Sequence, residues 1–187
     1  MPTRSALVTG LAGGLVALTL GGSALAMFAV AAPGARPAAA SGLTSVHEAR
    51  ANAALALPRP DLGLAEAETR RSLEQSVATP TAWLRLAYLE HERAGGFSPA
   101  VALAVRRSYD AAPYGPDDTP WRLTFLFDNW QAIGPELRAS ALSELRLARA
   151  HNGGALRGLP DSIRDPSGRL AATLALGRYP NARPPAR

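Results

Sequence analysis

Hydrophobic and polar positions divide this 187-residue chain into two regimes. Residues 5–35 carry no charge, and 7–32 are almost wholly apolar or small. Past residue 44, apolar positions recur at the three- and four-residue spacing of helices with a buried face, and no stretch sustains the alternation of a strand. The pattern predicts helices over 45–57, 62–77, 80–94, 99–112, 120–132, 135–150 and 166–176. Thr79-Pro80, Ser98-Pro99 and Thr119-Pro120 each pair an N-cap hydroxyl with a proline, whose missing N–H is not needed in the first turn. Gly134-Pro135-Glu136 and Asp165-Pro166 are looser versions, and Asp61 after Pro60 is a plain N-cap. Breaks fall at Gly95-Gly96, Pro113-Tyr114-Gly115-Pro116 and Asn152-Gly153-Gly154. The expected fold is all-α, with short consecutive helices as antiparallel neighbours.

The apolar start changes where such a domain sits. A spanning helix needs about 20 apolar residues and a secretory h-region about 7–15, so the length favours a retained transmembrane anchor over 1–34. Ala24-Leu25-Ala26 and Ala29-Val30-Ala31 match the A-x-A cleavage pattern and leave a cleaved signal as the alternative. Arg4 and the amino terminus precede the segment and a long domain follows it. That order predicts a single-pass protein of the bacterial inner membrane with a periplasmic C-terminal domain. Gly10 and Gly14 form a GxxxG through which two anchors would self-associate, although the abundance of Gly and Ala in the segment explains the spacing more simply. Residues 35–44 read as a flexible linker, 45–177 as the helical domain and 178–187 as a disordered Arg/Pro tail.

Composition narrows the chemistry. The chain has no cysteine and no lysine, so thiol nucleophiles, zinc knuckles, Schiff bases and the P-loop are all excluded. All 20 basic residues are arginine, and no single one stands out from the rest. His47-Glu48 and His91-Glu92 begin like H-E-x-x-H, but Ala51 and Gly95 occupy the second histidine's position. His91 and His151 fit solvated helix ends. No G-x-S-x-G or S-x-x-K is present, and the expectation is no catalytic residue, no metal and no cofactor. An alternative keeps an envelope enzyme acting on carbohydrate through Glu90, Asp117 or Asp118, although the last two also suit the start of a helix for electrostatic reasons alone. Charge is uneven: residues 41–137 hold 9 Arg against 12 acids, and 138–187 hold 9 Arg against 3. A basic end of this kind attracts anionic lipid or polysaccharide, and export sets nucleic acid aside as a partner.

Ala82-Trp83, Leu86-Ala87, the Gly95-Gly96-Phe97 turn, a small-residue helix (Val101, Ala104, Val105, Ser108, Ala112) and Pro113 together resemble one tetratricopeptide repeat. Ala87 stands where that family often has Gly, and the unit is slightly long. Residues 64–80 look like the second helix of an earlier repeat, and 120–132 with 135–150 like a degenerate further pair. The resemblance implies a short TPR-like helical array. More loosely, Arg106-Arg107-Ser108-Tyr109, Ala112-Pro113-Tyr114 and the following Trp121-Arg122-Leu123 helix are similar to short anchored repeat proteins of bacterial envelope polysaccharide systems. That similarity implies an accessory of polysaccharide synthesis or export.

Helix 120–132 is apolar on two sides. Trp121, Phe125 and Ala132 share one, Leu123, Leu126, Trp130 and Ile133 the other, and Phe127 lies between. Such a helix is either central to a core or lends a face to a partner. On the second reading, Tyr114, Trp121, Phe125, Phe127 and Trp130 are the candidate partner-binding residues, and the partner is another envelope protein.

Overall fold

The structure is a computed structural model that describes residues 43–177 apart from 153 and 155. Among the described residues every regular element is a helix, so the domain is all-α. The anchor and cleavage sites, Gly10 and Gly14, most of the linker and the Arg/Pro tail lie outside the described residues. No described helix is long and apolar enough to cross a membrane. The chain divides into two compact units, Met1–Val77 and Ala78–Arg187.

The first unit contributes a hairpin of α1 (Thr44–Leu55) and α2 (Leu62–Gln75). Val46, Ala51 and Ala54 of α1 and Ala65 and Leu73 of α2 are buried. Polar ties cross the same interface. His47 Nδ1 meets Glu68 Oε2 at 2.5 Å, and Ser72 Oγ donates to Glu48 Oε1 at 2.6 Å. Arg71 Nη1 reaches the other Glu68 oxygen at 2.8 Å, so that buried carboxylate holds two partners. The H-E pair at 47–48 therefore staples a hairpin. Asp61 caps α2 as expected, accepting the Leu64 N–H at 2.9 Å.

The second unit comprises α3 (Pro80–Ala94), α4 (Pro99–Ala111), α5 (Thr119–Asp128), α6 (Pro135–Asn152), the four-residue α7 (Leu159–Ser162) and α8 (Pro166–Ala175). Gly95, in the left-handed region at φ 64°, ends α3 and turns the chain into α4. Val101, Ala104, Val105 and Ser108 are the buried stripe of α4. Of the three predicted hydroxyl caps, only Ser98 accepts a first-turn N–H, from Val101 at 3.3 Å. Thr79 makes no side-chain cap bond. Thr119 is the first residue of α5, and its hydroxyl donates to Glu144 instead. The predicted helix 120–132 ends at Asp128, because the Asn129, Trp130 and Ala132 N–H groups close tighter three-residue turns.

The last helix packs backbone to backbone on α5. Gly168 is buried in the first turn of α8, and a β-carbon built on it would lie 1.8 Å from the carbonyl oxygen of Phe127. Polar bonds fix this crossing. Asp165 caps α8 through the Gly168 N–H at 2.6 Å, Asp128 Oδ1 accepts the Arg164 N–H at 2.5 Å, and Gln131 Nε2 donates to Asp165 and Ser167.

Candidate functional site

The two-sided character of α5 resolves into a core face and a rim face. Leu123, Leu126 and Phe127 are fully buried, with Ile133 just beyond them. Phe127 stacks on Trp130 at 5.0 Å between ring centroids and 20° between planes. Arg138 lies 5.4 Å from the Trp130 ring and donates through Nε and Nη2 to the Trp130 carbonyl. Phe127 therefore belongs to the core, at 0% exposure. Its neighbour Trp130 is half-buried.

The opposite side carries the exposed aromatic. Trp121 is 40% exposed and stacks nearly parallel on Phe125, at 4.9 Å and 12°. Phe125 is in turn met edge-on by His91 at 5.3 Å and flanked by Phe97 at 6.1 Å. His91 is not the solvated helix-end group expected from its charged neighbours. It is half-buried, and its Nε2 donates to Asn129 Oδ1 at 3.2 Å, while Asn129 Nδ2 donates to the Phe125 carbonyl at 2.9 Å. The α3 end, the turn after it and α5 thus hold one indole in a fixed pose with part of its surface in water. Tyr114 sits apart from this stack, its ring against His151 at 5.4 Å. Between α4 and the first turn of α6 runs an open cleft of about 320 Å³, whose lining includes Phe97, Ala102 and Leu137 and carries Arg106 and Glu136.

Beneath the rim lies a polar cluster that sequence reasoning did not find. Arg122 and Glu144, both completely buried, form an ion pair with Nη2 2.7 Å from Oε1 and Nε 3.1 Å from each carboxylate oxygen. Thr119 Oγ1 donates to Glu144 Oε1 at 2.7 Å and Tyr109 Oη to Oε2 at 2.8 Å. Arg122 Nη1 donates to Ser108 Oγ and to the Ala112 carbonyl, and its guanidinium carbon lies 4.2 Å from the centre of the Tyr109 ring. Among the described residues no buried side-chain nitrogen or oxygen lacks a hydrogen bond. The cluster joins α4, α5 and α6 where an apolar core would ordinarily do so.

Burial, the Glu144 carboxylate and the hydrogen bond donated to it push the Tyr109 phenol far above the usual tyrosine range, against a smaller pull from Arg122. The folded state therefore holds this proton while an unfolded tyrosine releases it near pH 10, so the stabilisation is complete below about pH 10 and drains away above it. Urea titrations at rising alkaline pH should lose about 1.4 kcal/mol per pH unit from this group, and Tyr109→Phe should flatten that slope. Equal slopes in both proteins would mean that Tyr109 ionises as freely when folded.

The carboxylates weighed for hydrolysis do not converge. Asp118 Oδ1 accepts from Thr81 Oγ1 at 2.8 Å in the first turn of α3, whereas Glu90 lies nine residues on, about 13 Å along that helix, beside Arg93. Asp117 is exposed. Among the described residues no group of three His, Asp or Glu is placed to hold a metal ion.

No family model, curated protein or solved structure matches this chain. The site combines a buried ionic tie that fixes three helices with a rigid aromatic ledge ending in Trp121.

Proposed function

We propose that this protein is a non-catalytic interaction module of the bacterial envelope. A single N-terminal span holds it in the inner membrane, and a periplasmic TPR-like helical domain positions another envelope protein, as an accessory of polysaccharide synthesis or export. The observation that carries the reading is Trp121, partly exposed, stacked on Phe125 and backed by His91 and Asn129. A tryptophan that is already immobilised gives up little conformational freedom on binding, and such residues anchor interface energy. The helical hairpin of α3 and α4 supports the repeat resemblance, which rests on the residues given above.

The test is an in-cell crosslink followed by mild-detergent pulldown of the full-length protein and of Trp121→Ala. Stacking on one side only makes Trp121→Ala a mild change to the fold, and circular dichroism would check that helicity is kept. A reproducible envelope partner, lost at least about tenfold in the folded variant, is the expected result. Equal recovery from both proteins would remove Trp121 from the interface, and no partner from either would remove the scaffold reading.

A further inference from the structure

We infer that the closed tip of the α1–α2 hairpin is a lipid-contacting surface. Nine consecutive residues there, 56–64, are exposed, and they read Ala-Leu-Pro-Arg-Pro-Asp-Leu-Gly-Leu. Leu57, Leu62 and Leu64 remain 49%, 38% and 45% exposed. Pro58, Pro60, Asp61 and Gly63 are the residues that water-facing loop tips are built from, but Leu57, Leu62 and Leu64 add apolar surface that a turn does not require and that something apolar would cover. The tip is also braced. The Asp61 N–H bonds the Ala54 carbonyl at 3.1 Å, and the Asp61 carboxylate is engaged in capping Leu64. Arg59 stands at the apex between two prolines, with the apolar stem and charged head of a side chain that snorkels at a membrane interface.

The occupant follows from the rest of the chain. Residues 7–32 are the apolar segment, and 33–43 alone connect it to the hairpin. Those residues span at most about 40 Å, and the twelve-residue α1 is about 18 Å long, so the tip stays within about 60 Å of the bilayer holding that segment. At that tethered concentration, three leucines and one arginine match acyl chains beneath anionic headgroups. The inference rests on the anchor reading proposed above.

Because the chain has no cysteine, one introduced cysteine reports alone. Full-length Leu57→Cys and Glu74→Cys would each carry an environment-sensitive fluorophore in phosphatidylcholine–phosphatidylglycerol vesicles containing nitroxide lipid. Position 74 is exposed and lies about 18 Å along α2 from Leu62, at the hairpin's other end. Emission at 57 should be blue-shifted and quenched at least about twofold more strongly than at 74. Equal quenching at the two positions overturns the inference. A blue shift at 57 that grows with protein density and ignores the lipid quencher assigns the tip to a second copy and also overturns it. Flotation separates the two readings: a chain that floats with position 57 unquenched keeps its anchor and loses the lipid-contacting tip, whereas a chain that fails to float loses both.

Discussion

Gly168→Ala is expected to lower the melting temperature by roughly 10–20 °C, or to release α8 from the domain. Helix propensity alone argues the opposite sign, since alanine in a helix interior is better than glycine by about 1 kcal/mol. Space decides the matter. The new methyl would lie 1.8 Å from the Phe127 carbonyl oxygen and 2.7 Å from its carbon, both main-chain atoms with no rotamer to relieve the clash. Relief requires moving α8 bodily, and that movement breaks the Asp128–Arg164 and Gln131–Asp165 bonds as well. An overpacking penalty at the upper end of its usual range, about 3 kcal/mol, is the expected size. Thermal unfolding followed by circular dichroism measures it, and a melting temperature equal to or above wild type would refute the close approach.

The second large effect is at the buried ion pair. Glu144→Gln strands a guanidinium that has no access to water, and Arg122→Met strands a carboxylate, so each should cost about 3–5 kcal/mol. The two losses should not add, because each single change already destroys the same pair. A further variant, Arg122→Met/Glu144→Leu with Tyr109→Phe and Thr119→Val, removes every hydroxyl that depends on the carboxylate. Apolar groups of similar volume can replace a buried pair at little net cost, so this variant should recover most of the stability. Urea midpoints for wild type, the two single variants, the Arg122→Met/Glu144→Gln double variant and the apolar variant give the comparison. Additive losses from the two single changes would show that Arg122 and Glu144 act separately.

The helical part of this fold was readable because punctuation and periodicity are local. Pro80, Pro99 and Pro166 sit at helix starts, Gly95 turns α3 into α4, and the buried residues of α4 are the small ones the spacing picked out. What escaped was decided by distant partners. Thr119 looks like an N-cap in its own sequence, yet Glu144, 25 residues away, accepts its hydroxyl's hydrogen bond. Arg122 was one arginine among 20, and nothing local distinguishes the one that is buried. The predicted helix 120–132 is longer than the observed one because its apolar pattern continues through Trp130 and Ile133, while its hydrogen bonds tighten after Asp128. The short α7 has too few residues for a period. For the ledge, the sequence placed Trp121 and Phe125 on one side of a helix, but His91 and Asn129 join them only through packing of α3 on α5.

The Arg122 cluster also bears on how such a sequence can drift. Ser108, Tyr109, Thr119, Arg122 and Glu144 satisfy one another, so a lone exchange at any of these positions leaves a buried donor, acceptor or charge behind. Even arginine to lysine fails at 122, because an ammonium cannot grip the carboxylate with a planar fork while also reaching Ser108 and the Ala112 carbonyl. The five positions are therefore expected to behave as one inherited character, kept whole or replaced together by an apolar set. Any sequence that shares this fold should display them in correlated form.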